Sequence, residues 1–262
     1  MDNPVPALPS ATIVLLRERE GSPELLMVKR RAGDAFGDSY AFPGGVVDHD
    51  ESDAHGRIDG QTADEANAVL GVSRDGLDYY SAAIRELFEE TGILLGRDNK
   101  GEWASDSPQL QALRVEVDQG RLPWSEFLDT QGLRLACDAL HYFAHWETPL
   151  DRPKRWSTRF FLAATPTAQD ATHDGSEITD ICWLTASQAL AGARDGSMKL
   201  PFPTIRNLMD MAEFTTIDEL FDWVNTRTQG DIVKLRPIRI QKNGKSQWAV
   251  WGDDGYPADR PL

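Results

Sequence analysis

The sequence predicts a mixed α/β or α+β sandwich, and three observations support this fold class. The chain has 262 residues, of which 40% are hydrophobic and 26% charged, the composition of a globular protein with a sizeable core. Short apolar runs rich in Val, Ile and Leu alternate with amphipathic helical segments. This alternation is irregular, which favours a mixed sheet over a doubly wound parallel one.

The N-terminal third predicts short strands followed by a polar segment. Apolar runs predict strands at 11–16 (ATIVLL) and 24–28 (ELLMV), and a brief extended piece at 39–42 leads into Pro43-Gly44-Gly45. That tripeptide must turn sharply, because glycine accepts positive φ at little cost. Residues 48–78 are acidic and poor in large apolar side chains, so we interpret them as a surface insertion. It contains one short helix, which the capping-box spacing Thr62–Glu65 predicts.

For the remaining chain, the sequence pattern predicts three strands, four helices and a terminal hairpin. The clearest helix covers 79–91 and stops at Gly92. Asn243-Gly244 lies between two apolar runs and is a strong hairpin signal. We expect a first domain over 1–230, with an insertion at about 52–84, and a hairpin extension over 231–262 that packs on it. The other predicted elements are strands at 133–146, 158–163 and 178–183 and helices at 186–193, 203–212 and 217–226.

Charge and cysteine content restrict the functional classes. The chain has 27 basic and 42 acidic residues, a formal net charge of −15, which argues against a nucleic-acid partner. No apolar run reaches the ~20 residues that a membrane span requires, and the first ten residues lack signal-peptide features, so we expect no membrane partner. Cys137 and Cys182 lie in apolar contexts without a CxxC motif. Two free thiols predict a reducing, cytoplasmic location.

Three carboxylates share one face of the predicted helix 79–91. Glu86, Glu89 and Glu90 are spaced i, i+3 and i+4, whereas Ile84, Leu87 and Phe88 share another face. Like charges in one stripe repel, so either this face is solvated or a cation compensates it. Mg²⁺ prefers oxygen ligands and is commonly held by carboxylates together with substrate phosphates. The pattern therefore makes these three glutamates candidate metal ligands.

The residues around this helix resemble the Nudix box, G-x5-E-x7-R-E-U-x-E-E-x-G-U with U apolar. One departure is plain: 33 residues separate Glu51 from Arg85, where the family usually has seven. The box is therefore split by an insertion of 26 residues. Its defined positions are filled by Gly45, Glu51, Arg85, Glu86, Leu87, Glu89, Glu90, Gly92 and Ile93.

A split box is similar to one branch of the family, the coenzyme A diphosphatase-like Nudix proteins. Segments 41–48, 146–161 and 200–204 resemble the same branch, and a coenzyme A signature upstream of Phe42 is matched in part. The resemblance implies a Nudix-type α/β/α sandwich and a Mg²⁺ or Mn²⁺ cofactor. It also implies hydrolysis of a diphosphate in coenzyme A or an acyl derivative.

The resemblance also implies roles for individual residues. Glu86, Glu89 and Glu90 would hold the metal, and Arg85 would orient the carboxylates. The general base would be one of these glutamates or Glu177, for which an ordinary loop acid is an equal alternative. The candidate substrate-binding residues are Arg30, Gly44, Gly45, Arg155, Trp156 and Arg159. The three arginines could instead be simply solvated.

Two other functions stay open at this point. The same chemistry could act on ADP-ribose or a dinucleotide such as NADH. Alternatively, the chain could be a Nudix-fold module that binds a nucleotide without turnover, although such modules usually lose box glutamates and this chain keeps all three. The expected partner is a small nucleotide diphosphate, and a homodimer is also open.

Overall fold

A computed structural model of the chain describes residues 4–33, 37–166, 169–227 and 229–257. Thirteen strands occur in this part of the chain. They are β1 (Leu8–Arg19), β2 (Ser22–Arg30), β3 (Tyr40–Ala41), β4 (Gly44–Val46), β5 (Ile58–Asp59), β6 (Gly96–Arg97), β7 (Arg134–Ala136), β8 (His141–Glu147), β9 (Trp156–Ala164), β10 (Ile178–Leu184), β11 (Lys234–Leu235), β12 (Ile238–Lys242) and β13 (Lys245–Ala249).

Seven α-helices occur in the same described ranges. They are α1 (Ala63–Leu70), α2 (Gly76–Thr91), α3 (Pro108–Asp118), α4 (Trp124–Gln131), α5 (Ala186–Asp195), α6 (Phe202–Met211) and α7 (Ile217–Asn225). Short 3₁₀ helices cover Glu51–Arg57, Cys137–Ala139 and Gln229–Asp231. No helix among these residues is long and apolar enough to cross a membrane.

The main sheet is mixed and has the strand order β10-β2-β1-β9-β8-β11. The hairpin β1–β2 is antiparallel, whereas the central pair β1–β9 is parallel from Leu8↔Trp156 to Leu16↔Ala164. Strand β3 pairs with β2, and β4 pairs with the start of β1. Strand β4 therefore lies beside the middle of the sheet, where α2 can approach it.

Each face of the sheet carries its own helical layer, because side chains alternate along every strand. On β1, Ala11, Ile13 and Leu15 pack in the core that contains α1 to α4, whereas Val14 and Leu16 pack in the core beneath α5 to α7. The mixed α/β sandwich is thus confirmed.

Helix α2 is held by aromatic packing and a left-handed stop. Phe88 stacks on Phe127 with ring centroids 5.1 Å apart, and Trp124 donates a hydrogen bond from Nε1 to Ser81 Oγ over 3.1 Å. Gly92, at φ 76°, ends the helix in the left-handed region, which favours glycine. These contacts fix the rotation of α2 and hence the direction of its carboxylates.

Several predicted elements differ from the observed ones. The segment 133–146 is not one strand, because the 3₁₀ turn at Cys137–Ala139 divides it into β7 and β8. Helices α3 and α4 had no counterpart among the predicted elements. The segment 48–78 is not merely a surface insertion, because Ala54, Ile58, Ala66 and Leu70 are buried in the α2 core.

Candidate functional site

Arg85 joins the two halves of the split sequence motif. It lies on α2 and is buried, and its Nε donates to Glu51 Oε1 over 2.8 Å. Its two Nη groups donate to Glu89 Oε2 over 2.8 Å and to the Val46 carbonyl over 3.1 Å. Glu86 Oε1 is also within 3.1 Å of the guanidinium. One cation therefore orients two α2 carboxylates and ties them to β4 and the inserted segment.

Two glycines of β4 allow the carboxylates to approach the sheet. A Cβ at Gly45 would lie 2.4 Å from the carboxylate of Glu86, so any larger residue there must displace this carboxylate. Gly44 has φ 152°, and a Cβ on it would lie 2.4 Å from the Ala11 carbonyl oxygen of β1. The Gly44 N–H donates to Glu90 Oε2 over 3.0 Å.

Arg30 links Glu90 to Glu177. From the end of β2, its Nη2 donates to Glu90 Oε1 over 2.9 Å, and its Nη1 donates to Glu177 Oε1. Glu177 lies on the loop before β10 and its side chain is half exposed, whereas Glu90 is 4% exposed. Three predicted site residues, from α2, β2 and the β9–β10 loop, thus meet in space.

Burial makes the three α2 carboxylates harder to ionise than a free glutamate. It is the main cause that raises the pKa of Glu86 to about 7 and that of Glu89 to about 8, while Arg85 opposes both shifts and neighbouring carboxylates contribute to them. Burial also raises the pKa of Glu90 well above its usual range, although Arg30 opposes the shift. Each shift thus reflects mainly the loss of solvent around a carboxylate, which Arg85 and Arg30 do not fully offset.

This donor set fits a hard divalent cation. Its ligand atoms are carboxylate oxygens, and their raised pKa values show that added positive charge is favourable here. Within the described ranges, no three His, Cys, Asp or Glu side chains are already arranged around one point. Arg85 and Arg30 instead draw Glu89 and Glu90 aside, so these side chains must turn to share an ion.

A cavity of about 1100 Å³ opens beside the carboxylates. This volume is slightly above the range of about 300–1,000 Å³ that is typical of small-molecule sites. Its polar wall includes Arg30, Glu86 and Glu177 together with both β4 glycines. Its lining also holds aromatic and basic side chains, namely Trp146, Arg152, Lys154, Trp156, Phe160, Phe202 and Trp248.

Of the predicted substrate-binding residues, Arg155 lies away from this lining. It is 5% exposed, and its Nη2 donates to Glu147 Oε1 over 2.7 Å. Its other nitrogens donate to the backbone carbonyls of Thr148 and Val5. Arg155 is thus a structural cation that ties the N-terminal segment to the β8–β9 connection.

Arg159 also lies away from the cavity lining, on the opposite face of β9 from Trp156. Its guanidinium stacks on the Tyr79 ring of α2, 4.7 Å from the centroid, and donates to Ser157 Oγ over 3.2 Å. It is 7% exposed, and its Nε has no hydrogen-bond partner among the described residues. Strand alternation alone separates Trp156 from Arg155 and Arg159, a signal that the sequence interpretation overlooked.

Several cavity residues were missed in the sequence. Among them, Arg152 and Lys154 lie in the β8–β9 connection, and Trp248 lies on β13. The position of Trp248 depends on how the C-terminal segment packs on the sheet. Strand β11 pairs with β8, and Glu147 of β8 accepts hydrogen bonds from both Arg155 and Arg236.

Comparison with known proteins gives a family match. The family model described as the NUDT19 Nudix domain matches residues 61–211. Among relatives, a Xenopus laevis protein named acyl-coenzyme A diphosphatase NUDT19 is 24% identical over 91% of this chain and 73% of its own length. The human protein of that name is 24% identical over 76% and 56%, and a Caenorhabditis elegans putative nudix hydrolase 7 is 25% identical over 85% and 65%. The chain therefore spans little more than half of the human relative.

A solved structure supports the fold. The crystal structure of a NUDIX hydrolase from Alicyclobacillus acidocaldarius superposes with a TM-score of 0.68 at 24% identity. The superposition covers 83% of this chain and 96% of that protein. The architecture of the sheet and its helical layers is thus shared.

Proposed function

The chain belongs to the NUDT19 Nudix domain family, and on that premise we propose that it hydrolyses the diphosphate of coenzyme A or an acyl-coenzyme A. One observation carries the proposal. The same large cavity is lined by a carboxylate of α2, by the Arg30–Glu177 pair and by aromatic and basic side chains. Such a lining combines a site for chemistry with a site for a large, partly aromatic anion. The names of the vertebrate relatives support coenzyme A as the substrate.

The proposed metal ligands are Glu86, Glu89 and Glu90, and the proposed ion is Mg²⁺ or Mn²⁺. When bound, such an ion neutralises phosphate oxygens and offsets charge on the leaving group. The protein requires this contribution because its net charge of −15 otherwise repels an anionic substrate. Arg85 would keep the carboxylates directed toward β4.

We propose Glu177 as the general base that removes a proton from the attacking water. Its side chain lines the cavity and is half exposed, so it can reach a water molecule. Arg30 fixes its carboxylate through Nη1 while holding Glu90 through Nη2. Arg30 would thereby set the position of the base relative to the metal ligands.

The partner implied is a small nucleotide diphosphate, a cytoplasmic location remains our prediction, and a homodimer stays open. Burial raises the pKa of the Cys137 thiol, and that of Cys182 rises to about 11. Thiols with such raised pKa values react slowly, which suits unpaired cysteines in a reducing compartment.

A hydrolysis panel tests the proposal. Purified protein with Mg²⁺ or Mn²⁺ is given coenzyme A, acetyl-coenzyme A, ADP-ribose, NADH and diadenosine polyphosphates. We expect hydrolysis of the coenzyme A compounds, its loss in Glu90→Gln, and wild-type rates in Glu126→Gln, which removes an exposed carboxylate on α4. Preference for ADP-ribose or NADH would show that the proposed substrate is wrong. Binding of these compounds without turnover would show that the protein is not a hydrolase.

A further inference from the structure

The last turn of α2 ends against a buried arginine of α3. Arg114 is 5% exposed, and its Nε donates to the Glu89 carbonyl oxygen over 2.9 Å. This carbonyl belongs to the final turn of the helix, where carbonyls lack partners within the helix and a cation is favourable. A Cβ at Gly92 would lie 3.0 Å from Arg114 Nη1, so the glycine that ends α2 also leaves room for the guanidinium.

The same guanidinium reaches the loop that leads to β10. Its Nη1 donates to Thr172 Oγ1 over 3.2 Å, and the Thr172 N–H donates to the Thr91 carbonyl oxygen over 2.8 Å. Arg114 and the end of α2 therefore hold the loop at Thr172 by two hydrogen bonds. Burial lowers the pKa of the Arg114 guanidinium, and four nearby carboxylates oppose this shift, namely Asp174 of the loop, Asp118 of α3, and Glu90 and Glu89 of α2.

The position of this loop depends on such polar contacts, because none of the side chains of residues 172–177 is buried. Asp174 shapes the stretch into a turn, since its carboxylate accepts from the Glu177 N–H over 2.8 Å and from the Ile178 N–H over 3.0 Å. Ile178 itself is buried at the start of β10. A displacement at Thr172 is therefore passed through the turn to Glu177.

Two arginines thus hold the loop from different sides. Arg30 of β2 binds the Glu177 side chain, whereas Arg114 of α3 binds Thr172. Arg114 does not line the main cavity, and its Nη2 has no hydrogen-bond partner among the described residues. A buried donor without a partner lowers stability, so stability alone is a poor explanation for a guanidinium at this position.

We propose that Arg114 is a positioning residue that sets the place of the loop base, Glu177, relative to the carboxylates of α2. It does so by holding Thr172 against the end of that helix. The assignment rests on the proposed function, because it takes Glu177 as the general base and the α2 glutamates as metal ligands. A base must lie within hydrogen-bond distance of the water that it activates, and a displacement of about 1 Å can lower a rate by roughly 100-fold.

Two substitutions remove this contact from opposite sides. Arg114→Met removes the charge, whereas Thr172→Val removes only the hydroxyl that accepts from Nη1, at an exposed position. In steady-state kinetics on coenzyme A, Arg114→Met should lower kcat about tenfold and Thr172→Val about threefold, with KM within about twofold of wild type. Arg114→Lys should recover part of the loss, because an ammonium can still donate to the Glu89 carbonyl. Arg121→Met is the matched control, since Arg121 is exposed and pairs with Glu116.

A double variant separates positioning of the base from general support of the fold. In the Glu177→Gln background, Arg114→Met should lower kcat by less than about twofold, because the group that Arg114 positions is already lost. Mn²⁺ affinity, measured by electron paramagnetic resonance, should stay within about twofold in Arg114→Met, because Arg85 still orients the ligands. Multiplicative losses, a fall in Mn²⁺ affinity that matches the fall in kcat, or wild-type kcat in Thr172→Val would overturn the proposal. An equal loss in the control would do the same.

Hydrogen exchange of backbone amides tests the contact without turnover. The peptide that covers residues 172–178 should exchange faster in both Arg114→Met and Thr172→Val, whereas peptides from β1 and β9 should be unchanged. Wild-type exchange of 172–178 in both variants would overturn the inference. Faster exchange of this peptide, together with no hydrolysis of the panel by the wild type, would show that Arg114 holds the loop and that the proposed function fails.

Discussion

Arg30 and Glu90 are 60 positions apart in the chain, yet Nη2 of the arginine donates to Oε1 of the glutamate over 2.9 Å. The same guanidinium binds Glu177 through Nη1. Arg30 thus holds the proposed base, Glu177, and a proposed metal ligand, Glu90, in a fixed relative position. Its loss would misplace both groups at once.

Arg30→Gln should lower kcat by about 100-fold, within the range that a positioned acid or base contributes. Glu177→Gln should cause a similar loss, and the double variant should lose less than the product of the two effects. Steady-state kinetics on coenzyme A measure these values. Arg17→Gln removes an arginine of β1 that pairs with Glu24 and serves as control. Independent, multiplicative losses would show that Arg30 does not act through Glu177.

Gly45→Ala should abolish turnover and weaken metal binding, because the new Cβ would lie 2.4 Å from the Glu86 carboxylate. The added methyl must displace this carboxylate or β4. Gly56→Ala is the matched control, since a Cβ there meets no atom within 4 Å. Mn²⁺ binding followed by electron paramagnetic resonance, together with hydrolysis rates, distinguishes the two. Full activity in Gly45→Ala would show that Glu86 is not part of the site.

The metal-free protein should lose stability as pH rises. The pKa of Glu89 is about 8 in the folded protein against 4.5 unfolded, so the folded state binds more protons between these values. The contribution of Glu89 to the free energy of unfolding is therefore complete below pH 4.5 and disappears as pH rises through 8. Saturating Mg²⁺ should therefore raise Tm more at pH 8.5 than at pH 6, because the ion competes with protons.

Differential scanning fluorimetry with and without Mg²⁺ measures this difference. Glu89→Gln should reduce the pH dependence of the Mg²⁺ shift, and Glu126→Gln should leave it unchanged. An equal Mg²⁺ shift at both pH values would contradict the assignment of the buried carboxylates as ligands.

Arg155→Met should destabilise the fold by about 2 kcal/mol, since it removes one partner of the half-buried Glu147. Urea denaturation measures this loss, and unchanged stability would contradict the structural role of Arg155.

Arg159→Met should leave KM for coenzyme A within about twofold of wild type, because the side chain faces α2 and not the cavity. Steady-state kinetics measure this value. A large rise in KM at unchanged stability would show that Arg159 binds the substrate.

The sequence predicted the carboxylate face of α2 well, because that face depends on helical spacing within one element. It also predicted most strands on either side of it. Arg155, Trp156 and Arg159 were harder, because their directions depend on the register of β9 on β1. Trp248 of the C-terminal hairpin could not be placed at all. Its position in the cavity lining depends on the pairing of β11 with β8, which no local sequence pattern predicts.

The contact between Arg85 and Glu51 has an evolutionary consequence. It closes a loop of 33 residues where the family usually has seven. Closure entropy grows only with the logarithm of length, so the longer loop adds about 1.4 kcal/mol, offset by its buried Ala54, Ile58 and Leu70. The segment between the two halves can thus be long, provided that its buried side chains are kept, while the Arg85–Glu51 contact holds the two halves together.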